Sequence, residues 1–415
     1  MRQASVLAGT TLLVLSTTVP MPSYAANPQF QSFFFDVCLA PTGLLATRCG
    51  ETIGGTGDLS GDSESSLNPS QNLSHTLSST ALVAQVRTAE ARERAENIRE
   101  GEEPAEDEAG SAAFGPFSLL VHVRGTQFER DRDPILDRER GLEGDGWGIE
   151  IGFDRRMSEK VFLGALVAFE STNYDFDAEL PGVNFVPGPA AGHAEIDAQS
   201  VTLFGVFNAS EHFFVDGSIG YGRQEHTFRR NSIFQDSLRA SEVDLRTVGD
   251  TDSRELWAGV NAGFDLGQGA STFGPYAGLT FTHATIDGYT ERDLSASGLN
   301  MTFGKVTTES LLGHVGLRAD HAFSTSRGVI VPQVKVEYLH EFKDDPAQIV
   351  SNYVLNAGSS AFALTGDKPD PDKINVGAGL TAYWPNGWIV FLNFDTLIDG
   401  DLDRDRVTLG FRFEF

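Results

Sequence analysis

The sequence predicts an all-β protein, a twelve-stranded antiparallel transmembrane β-barrel preceded by an N-terminal helix. Three observations predict this fold class. Residues from about 113 onward alternate between apolar and polar, the N-terminus has the form of an export signal, and the connections between alternating segments are in turn short and long.

The terminal strand shows the alternation most clearly. One face carries only apolar residues and the other carries polar residues and glycine: Val407, Leu409, Phe411, Phe413 and Phe415 against Thr408, Gly410, Arg412 and Glu414. Successive side chains point to opposite faces of a strand. A strand with one apolar and one polar face is typical of a membrane barrel, with lipid outside and a polar lumen inside.

Residues 1–25 are expected to be a secretory signal peptide. Arg2 precedes an apolar stretch, and small residues, Ser23 and Ala25, stand at the two positions that a signal peptidase recognises. The stretch is too short and too rich in Thr, Ser and Pro for a retained membrane helix, and no other apolar run reaches the length of a spanning helix. We therefore expect an outer-membrane protein of a Gram-negative bacterium, in contact with outer-membrane lipid.

Composition excludes several classes of function. The formal net charge is −27 and the pI is about 4.6, which argues against nucleic acid as a partner because phosphate contacts need Lys and Arg clusters. A mean hydropathy of −0.18 excludes a helical membrane protein but not a barrel, in which only alternate residues meet lipid. The nine histidines are scattered without a His-Glu-x-x-His spacing, so no metal, cofactor or catalytic residue is expected.

The alternating segments give the expected strands: 115–128, 145–156, 160–175, 194–208, 212–228, 253–267, 272–287, 306–323, 328–343, 372–384, 388–397 and 405–415. Short connections such as Pro385-Asn386-Gly387 are typical of hairpins. Long connections are rich in Asp, Gly, Pro and Ser and cover roughly 129–144, 176–193, 229–252, 288–305 and 344–371. Short periplasmic turns and long outer loops are typical of an outer-membrane barrel, whereas the alternative, a soluble β-sandwich, has no reason to sort its loops in this way.

The alternation also predicts which side chains face lipid and which face the lumen. Trp147, Ile151 and Phe153 are expected to face lipid. Segment 388–397 is apolar on both faces, so its orientation stays open. The lumen candidates are charged residues on the polar faces: Arg124, Glu150, Glu170, Asp216, Glu255, Arg318, Lys335, Glu337 and Arg412.

Residues 26–75 are expected to be a short and largely irregular segment, because they are rich in Gly, Ser, Asp and Asn after a Phe33-Phe34-Phe35 run. The two cysteines of the chain, Cys38 and Cys49, both lie in this segment. In an oxidising periplasm we expect them to form a disulfide, with two unpaired thiols as the alternative. Without histidines nearby they do not make a zinc site.

Residues 76–112 are expected to hold a helix, 76–100, followed by an acidic linker, and residues 113–415 to form the barrel. The helix is predicted by an apolar stripe, uninterrupted by Gly or Pro until Gly101, that consists of Leu77, Ala81, Ala84, Ala91, Ala95 and Ile98. At 1.5 Å per residue it would be about 38 Å long, which exceeds the ~30 Å hydrocarbon thickness of a bilayer.

This order of segments resembles the autotransporter family, which performs type V secretion, over about residues 76–415. The most specific matching pieces are Gly-Phe-Arg-Phe-Glu-Phe at 410–415, His340-Glu341-Phe342 and Val376-Gly377-Ala378-Gly379-Leu380. The resemblance implies a translocator barrel whose helix threads the pore. The helix arginines that could then meet acidic lumen residues are Arg87, Arg92, Arg94 and Arg99.

The resemblance also implies a passenger, the segment before the helix, that is carried to the cell surface. The terminal strand is similar to the signal recognised by the outer-membrane barrel assembly machinery, which gives this role to Phe411, Phe413 and Phe415. The general secretion translocon is the expected export partner, and a monomer is expected. The passenger has only about 50 residues, whereas most family passengers are far longer, so no adhesin repeat or protease triad fits there.

Three alternative functions remain. A porin-like channel plugged by the helix is the main one, although a porin gains nothing from a long polar helix before its first strand. Gly57-Asp58-Leu59-Ser60-Gly61-Asp62-Ser63 is similar to the Gly-Asp-Ser-Leu block of surface esterases, but His75 is the only nearby histidine and the segment is too small to bury a core. An enzyme built into the barrel would need a Ser/His or Asp/His pair at a rim, and none stands out. The sequence thus predicts membrane insertion and exposure of the N-terminal segment.

Overall fold

The structure is a computed structural model. It describes residues 28–52, 54–59, 67, 69, 71–76, 78–79, 117–132, 139–178, 186, 191–235, 242–356, 361–400 and 402–415. The predicted signal peptide, the acidic linker and residues 77 and 80–100 of the predicted helix lie outside these ranges. The helix arginines lie outside them too, namely Arg87, Arg92, Arg94 and Arg99.

Among the described residues, the elements with defined bounds are two helices and then nineteen strands, with one 3-10 turn at Val354–Asn356; further helical residues lie at 71–76 and 78–79. In order they are α1 (Pro28–Cys38), α2 (Gly43–Glu51), β1 (Phe117–Arg130), β2 (Leu142–Ser158), β3 (Val161–Phe176), β4 (Gly192–Asn208), β5 (Phe213–Gln235), β6 (Glu242–Phe264), β7 (Leu266–Gln268), β8 (Ser271–Ile286), β9 (Tyr289–Thr290), β10 (Arg292–Asp293), β11 (Met301–Phe303), β12 (Val306–His321), β13 (Phe323–Thr325), β14 (Gly328–Glu341), β15 (Gln348–Tyr353), β16 (Phe362–Thr365), β17 (Asp372–Tyr383), β18 (Trp388–Asp399) and β19 (Asp403–Glu414).

Twelve long strands of the described chain form one closed antiparallel barrel, so the predicted fold class is confirmed. They are β1 to β6, β8, β12, β14 and β17 to β19; each pairs with the next along the chain, and β19 pairs with β1. Every one of these strands has two neighbours, and the ring therefore has no free edge. A sheet in hydrocarbon needs this closure, because no water is present to bond an unpaired backbone group.

The predicted segments match these strands to within a few residues, except at β5 and β6. These two strands reach Gln235 and start at Glu242, so most of residues 229–252 are strand and not loop. That prediction is wrong because β5 and β6 continue to pair with each other beyond the rim of the barrel, in register as far as Gln235 and Glu242. Their outer ends contribute Phe234 and Leu245 to an apolar core that also contains residues of other segments.

The two faces of the barrel wall are placed as the alternation predicts. Trp147 and Phe153 are 58% and 46% exposed on the outside, whereas Glu150 between them is 2% exposed. The structure also orients β18, which the sequence left open. Its polar Asn393 and Asp395 face inward and are buried, while alternate apolar residues face outward.

The terminal strand β19 closes the ring, and backbone hydrogen bonds to the start of β1 continue to the last residue. The register of β19 on β1 runs from Asp403 opposite Glu129 to Glu414 opposite Ser118. Beyond it, the Phe415 N–H donates to the Phe117 carbonyl at 3.0 Å and the Phe117 N–H donates back at 3.3 Å. Three phenylalanines of this strand lie on its outward face, namely Phe411, Phe413 and Phe415.

The N-terminal segment contains two helices, α1 and α2, joined by a disulfide between Cys38 and Cys49 whose Cα atoms are 5.5 Å apart. The expectation of a largely irregular segment is therefore wrong for residues 28–51. Helices of 11 and 9 residues are marginal in water and need tertiary packing, which distant residues supply here. Among the described residues no single helix has the length and apolar composition to span a membrane; α1 and α2 reach it only together, with a bend of 115° between them.

Four short strands form a second sheet at the end of the barrel that bears the long connections, called the outer end below. Their order is β16, β15, β11, β9, and β10 pairs separately with the outer part of β6. β9 and β11 belong to the connection that follows β8, and β15 and β16 to the one that follows β14. The two predicted long loops 288–305 and 344–371 thus fold together into one layer, called the outer sheet.

Large inward side chains cover glycines on neighbouring strands. A Cβ atom at Gly410 would lie 1.9 Å from the Phe391 ring, and one at Gly220 would lie 2.0 Å from the Trp257 ring. Only glycine lets the rings approach the strand backbone this closely. Phe391 belongs to an apolar cluster on the inner wall that also contains Leu120, Phe162, Leu166, Phe204 and Val206.

Gly410→Ala is expected to destabilise the barrel by about 1–3 kcal/mol, the usual range for overpacking. Urea unfolding of the purified protein in detergent micelles measures the change. Gly125→Ala is the matched control, because Gly125 lies on the adjacent strand β1 and a Cβ atom there meets nothing within 4 Å. Equal stabilities of the two variants would show that the Phe391 contact does not limit the strand spacing.

Candidate functional site: the barrel lumen and its outer opening

The nine predicted lumen side chains all lie on the inward faces of their strands. Glu170 and Lys335 are half-buried, and the other seven are buried: Arg124, Glu150, Asp216, Glu255, Arg318, Glu337 and Arg412. Strand alternation alone determines this placement. The sequence did not predict the partners of these charges.

At the inner end of the lumen, Arg412 of β19 forms hydrogen bonds with side chains of β1 and β2. Its Nε donates to the Ser118 hydroxyl at 3.2 Å and its Nη2 donates to the Asp154 carboxylate at 3.4 Å. These partners lie on β1 and β2, so the contacts cross the junction between β19 and β1. The closing strand is therefore held by buried, charge-assisted side-chain bonds in addition to its backbone ladder.

Further contacts join carboxylates to charged or neutral side chains of other strands along the lumen. They join Lys335 and Arg406 to Asp395 at 2.8 and 3.0 Å, Tyr276 and Asn375 to Glu337 at 2.9 and 2.6 Å, and Arg124 to Glu170. A buried charge is costly unless it is paired and hydrogen-bonded. These pairs satisfy that condition along the wall itself.

Helical residues 71–76 and 78–79 occupy the outer end of the lumen. The helix thus begins before residue 76, earlier than predicted. Its polar side chains are buried, with Gln71, Asn72, Ser74 and His75 each at most 1% exposed. We call these described residues, 71–76 and 78–79, the mouth helix.

Hydrogen bonds fix the mouth helix to several parts of the barrel wall. Gln71 donates to the Ala191 carbonyl at 2.6 Å, Asn72 donates to the Tyr289 hydroxyl at 2.7 Å, the Arg140 N–H donates to the Ser74 hydroxyl at 2.6 Å, and His75 Nδ1 bonds the Tyr174 hydroxyl at 2.5 Å. The wall partners come from β3, β9 and the connections after β1 and β3. The mouth helix is therefore held in the opening by several separate segments of the chain.

An apolar ring of wall residues packs beside the mouth helix. The His75 ring lies 5.1 Å from the Phe228 ring, 5.9 Å from the Tyr174 ring and 5.2 Å from the His226 ring. Phe228 and Tyr174 belong to a buried cluster with Phe128, Leu142, Phe176, Ala191, Ala194, Ile196 and Leu402. The mouth helix is thus held by apolar contacts as well as by polar ones.

Glu139 joins two outer connections next to the mouth helix. Its carboxylate accepts a hydrogen bond from Arg130 at 2.9 Å. The Glu139 N–H donates to the Asp367 carboxylate at 3.0 Å, and the Asp367 N–H donates to the Glu139 carboxylate at 2.9 Å. Burial raises the pKa of the Glu139 carboxyl, although Arg130 and Arg132 partly offset this. The first and the last long connections are therefore fastened to each other.

Arg230 and Glu291 fasten the connection after β8 to the barrel rim. Two parallel hydrogen bonds join them, at 2.9 and 2.6 Å, and both side chains are almost fully buried. Glu291 also accepts the Met301 N–H at 2.9 Å, and Arg230 donates to the Leu299 carbonyl at 3.3 Å. Such a bidentate pair has defined geometry and holds the outer sheet in place.

Beyond the mouth helix, the N-terminal segment and the barrel share one apolar core, called the outer core. The segment side supplies Phe30, Phe33, Phe34, Val37, Leu45, Cys49, Leu59, Leu67 and Leu73. The barrel side supplies Phe234, Leu245, Tyr289, Leu299, Met301, Phe303, Val306, Ile349, Tyr353, Phe362 and Leu364. The expectation that the segment cannot bury a core is therefore wrong, because residues far along the chain complete that core.

One pattern in the sequence could have predicted that α1 contributes to the outer core. Phe30, Phe33, Phe34 and Val37 recur at the i, i+3, i+4, i+7 spacing of an amphipathic helix. All four are buried in the outer core, whereas Phe35 is 43% exposed. The Phe33-Phe34-Phe35 run is thus two core residues followed by one surface residue.

The residues of the esterase alternative are only partly described. Ser60 and Ser63 lie outside the described ranges, and His75 is buried in the mouth helix against Tyr174. Within those ranges no group of three or more His, Cys, Asp or Glu side chains could hold a metal ion.

The fold is similar to that of two solved autotransporter domains. The translocator domain of the autotransporter NalP from Neisseria meningitidis superposes with a TM-score of 0.57 and 13% identity, over 81% of this chain and 98% of that chain. The β domain of the Bordetella autotransporter Brka gives a TM-score of 0.51 and 14% identity, over 72% of this chain and 100% of that chain. At these identities the likeness shows the fold alone.

No sequence among curated proteins matches the chain significantly. The family model of the autotransporter β-domain, however, matches residues 128–395, which is more than half of the chain. That stretch runs from the outer part of β1 to the middle of β18 and includes the lumen charges of the strands between. The chain therefore belongs to the autotransporter β-domain family and is an outer-membrane β-barrel.

Proposed function

We propose that this barrel exposes its short N-terminal segment at the cell surface and that it catalyses no reaction. The position of residues 28–59 carries the proposal. They pack on the outer end of the barrel, against the outer sheet. In outer-membrane barrels the short turns face the periplasm and the long loops face outside. The segment accordingly belongs to the outside.

The course of the chain supports this proposal. The mouth helix lies at the outer end of the lumen, whereas β1 begins at the inner end, where Phe117 pairs with Phe415. The described residues 79 and 117 therefore lie at opposite ends of the barrel. This is the expected arrangement for a chain that threads the pore before it enters the first strand.

The proposal includes the partners that the sequence implies. The general secretion translocon would export the chain by residues 1–25, and the barrel assembly machinery would recognise Phe411, Phe413 and Phe415. Outer-membrane lipid would cover the apolar outward face of a monomeric barrel. The exposed outward residues of β19 support the last two points, since Phe411 and Phe415 are 44% and 54% exposed.

An epitope inserted between Ala40 and Pro41 is expected to bind antibody on intact cells. This turn between α1 and α2 is exposed, so an insertion there leaves the outer core undisturbed. The measurement is antibody binding by flow cytometry, before and after permeabilisation of the outer membrane.

The matched control carries the same epitope between Glu159 and Lys160, in the short turn between β2 and β3. It should bind antibody only after permeabilisation. The proposed orientation fails if the Ala40 epitope is hidden on intact cells while the Glu159 epitope is accessible.

Phe415→Ala is expected to lower the amount of assembled barrel in cells several-fold, while the purified variant refolds in detergent like the unchanged chain. The Phe415 side chain is exposed, so its truncation removes little packing and any loss in cells reflects recognition. Val407→Ala is the control, because Val407 is outward on the same strand and 47% exposed. Similar losses in cells for both variants would argue against a recognition role.

The main alternative, a porin-like channel, is tested by conductance. Because the buried mouth helix is held in the outer opening, we expect the full-length chain to remain closed in a planar bilayer, whereas a chain lacking residues 26–112 conducts. Stable openings of the full-length chain would favour the channel function.

A further inference from the structure

We infer that residues 28–59 are a permanent, non-covalently bound partner of the outer sheet, so that the surface unit of this protein is a composite domain and not a released passenger. This inference rests on the proposed function, because it requires the segment to be outside. It identifies the outer sheet as a docking surface for an amphipathic, aromatic helix that the same chain provides.

Aromatic contacts form the centre of this docking surface. The Phe33 ring stacks on the rings of Tyr353 and Phe362, with centroids 5.8 and 5.1 Å apart. Phe30 meets Phe362 edge-on at 5.6 Å, and Phe34 meets Tyr353 edge-on at 5.8 Å. One face of α1 is thus matched ring by ring to β15 and β16, which is the geometry of a specific docking site.

Each half of the outer core depends on the other half. Without α1, the buried side chains of the outer sheet would face water, and contiguous apolar patches of this kind are rare on soluble surfaces. Without the outer sheet, the aromatic face of α1 would be equally unprotected. The two halves therefore form one folding unit, although most of the barrel separates them in sequence.

One polar contact joins the segment to the outer connections, and two more fold the segment onto itself. The Thr42 hydroxyl donates to the Leu355 carbonyl, next to β15. The Gln31 side chain donates to the Gly57 carbonyl at 2.9 Å and accepts the Leu59 N–H at 2.8 Å. These bonds fold residues 57–59 back onto α1, which makes the segment compact as well as bound.

No covalent bond of the described residues joins this compact segment to the barrel except the main chain. The disulfide joins Cys38 to Cys49, and both lie inside the segment. Retention after a cut in the main chain therefore depends on the outer core alone. A cut between residues 59 and 67 consequently tests the inference directly.

The test uses the full-length chain with the epitope between Ala40 and Pro41 and a site for a specific protease between Ser63 and Glu64. Intact cells are stained for the epitope, treated with the protease and then sedimented. We expect the epitope to stay with the cells after complete cleavage and to be released by urea. Release of the epitope by cleavage alone would overturn the inference.

Two substitutions in the phenylalanine run provide matched variants. Phe33 is 6% exposed in the outer core and Phe35 is 43% exposed. A carboxylate at a buried site is costly, so Phe33→Asp should raise the fraction released by cleavage about tenfold or more. Phe35→Asp should change it less than about twofold, because surface substitutions have small effects. Equal release by the two variants would overturn the inference.

Phe33→Ala is the second variant if Phe33→Asp does not reach the membrane, and it should also release more than the unchanged chain. If the outer core does not hold the segment, the fraction released by cleavage will be the same for Phe33→Ala and for the unchanged chain. Failure of the proposed function has another signature: the epitope is then absent from intact cells before any cleavage. If the epitope is present before cleavage and lost afterwards, surface exposure of the segment is supported and only the composite domain is contradicted.

Discussion

The backbone hydrogen bonds between β1 and β19 are the constraint on which the rest of the structure depends. Hydrocarbon offers no partner for a free N–H or carbonyl group, so the sheet must close on itself. A ring of twelve strands is wider than the eight-stranded barrels whose side chains fill the interior. Closure therefore produces a wet lumen, which requires polar inward faces, paired charges such as Lys335 with Asp395, and a separate element to close the outer opening.

Two layers with opposite chemistry provide that closure. In the lumen, the mouth helix presents Gln71, Asn72 and His75 to polar groups of the wall. Beyond it, α1 presents phenylalanines to the outer sheet. The change of environment explains why the chain changes from an aromatic helix to a polar one before it enters the barrel. An aromatic helix in the lumen would leave the Ala191 carbonyl and the Tyr174 hydroxyl without their helix partners, and a polar helix would leave the outer core unfilled.

The barrel was predictable from the sequence because its information is local. A period of two within a dozen residues fixes which face of β17 or β19 meets lipid, and so which charges face the lumen. The outer core was not predictable in the same way, because the residues that form it are far apart in sequence. The ring partners of Phe33, for example, are Tyr353 and Phe362. The start of the mouth helix was missed because Gln71, Asn72 and His75 are all buried by polar partners and leave no apolar stripe. The outer ends of β5 and β6 were predicted as a loop because they lack the alternation of apolar and polar residues. They still pair with each other, beyond the part of the barrel where one face meets lipid and the other meets the lumen.

The length of the N-terminal segment has a physical reason in this arrangement. Chains below about 40 residues rarely fold alone and need a disulfide, a metal or a partner. Residues 28–59 have a disulfide between α1 and α2 and take the outer sheet as partner. The outer sheet in turn buries apolar side chains against α1. In the proposed composite domain, a segment this short therefore needs no complete core of its own, because the outer sheet supplies the other half of that core.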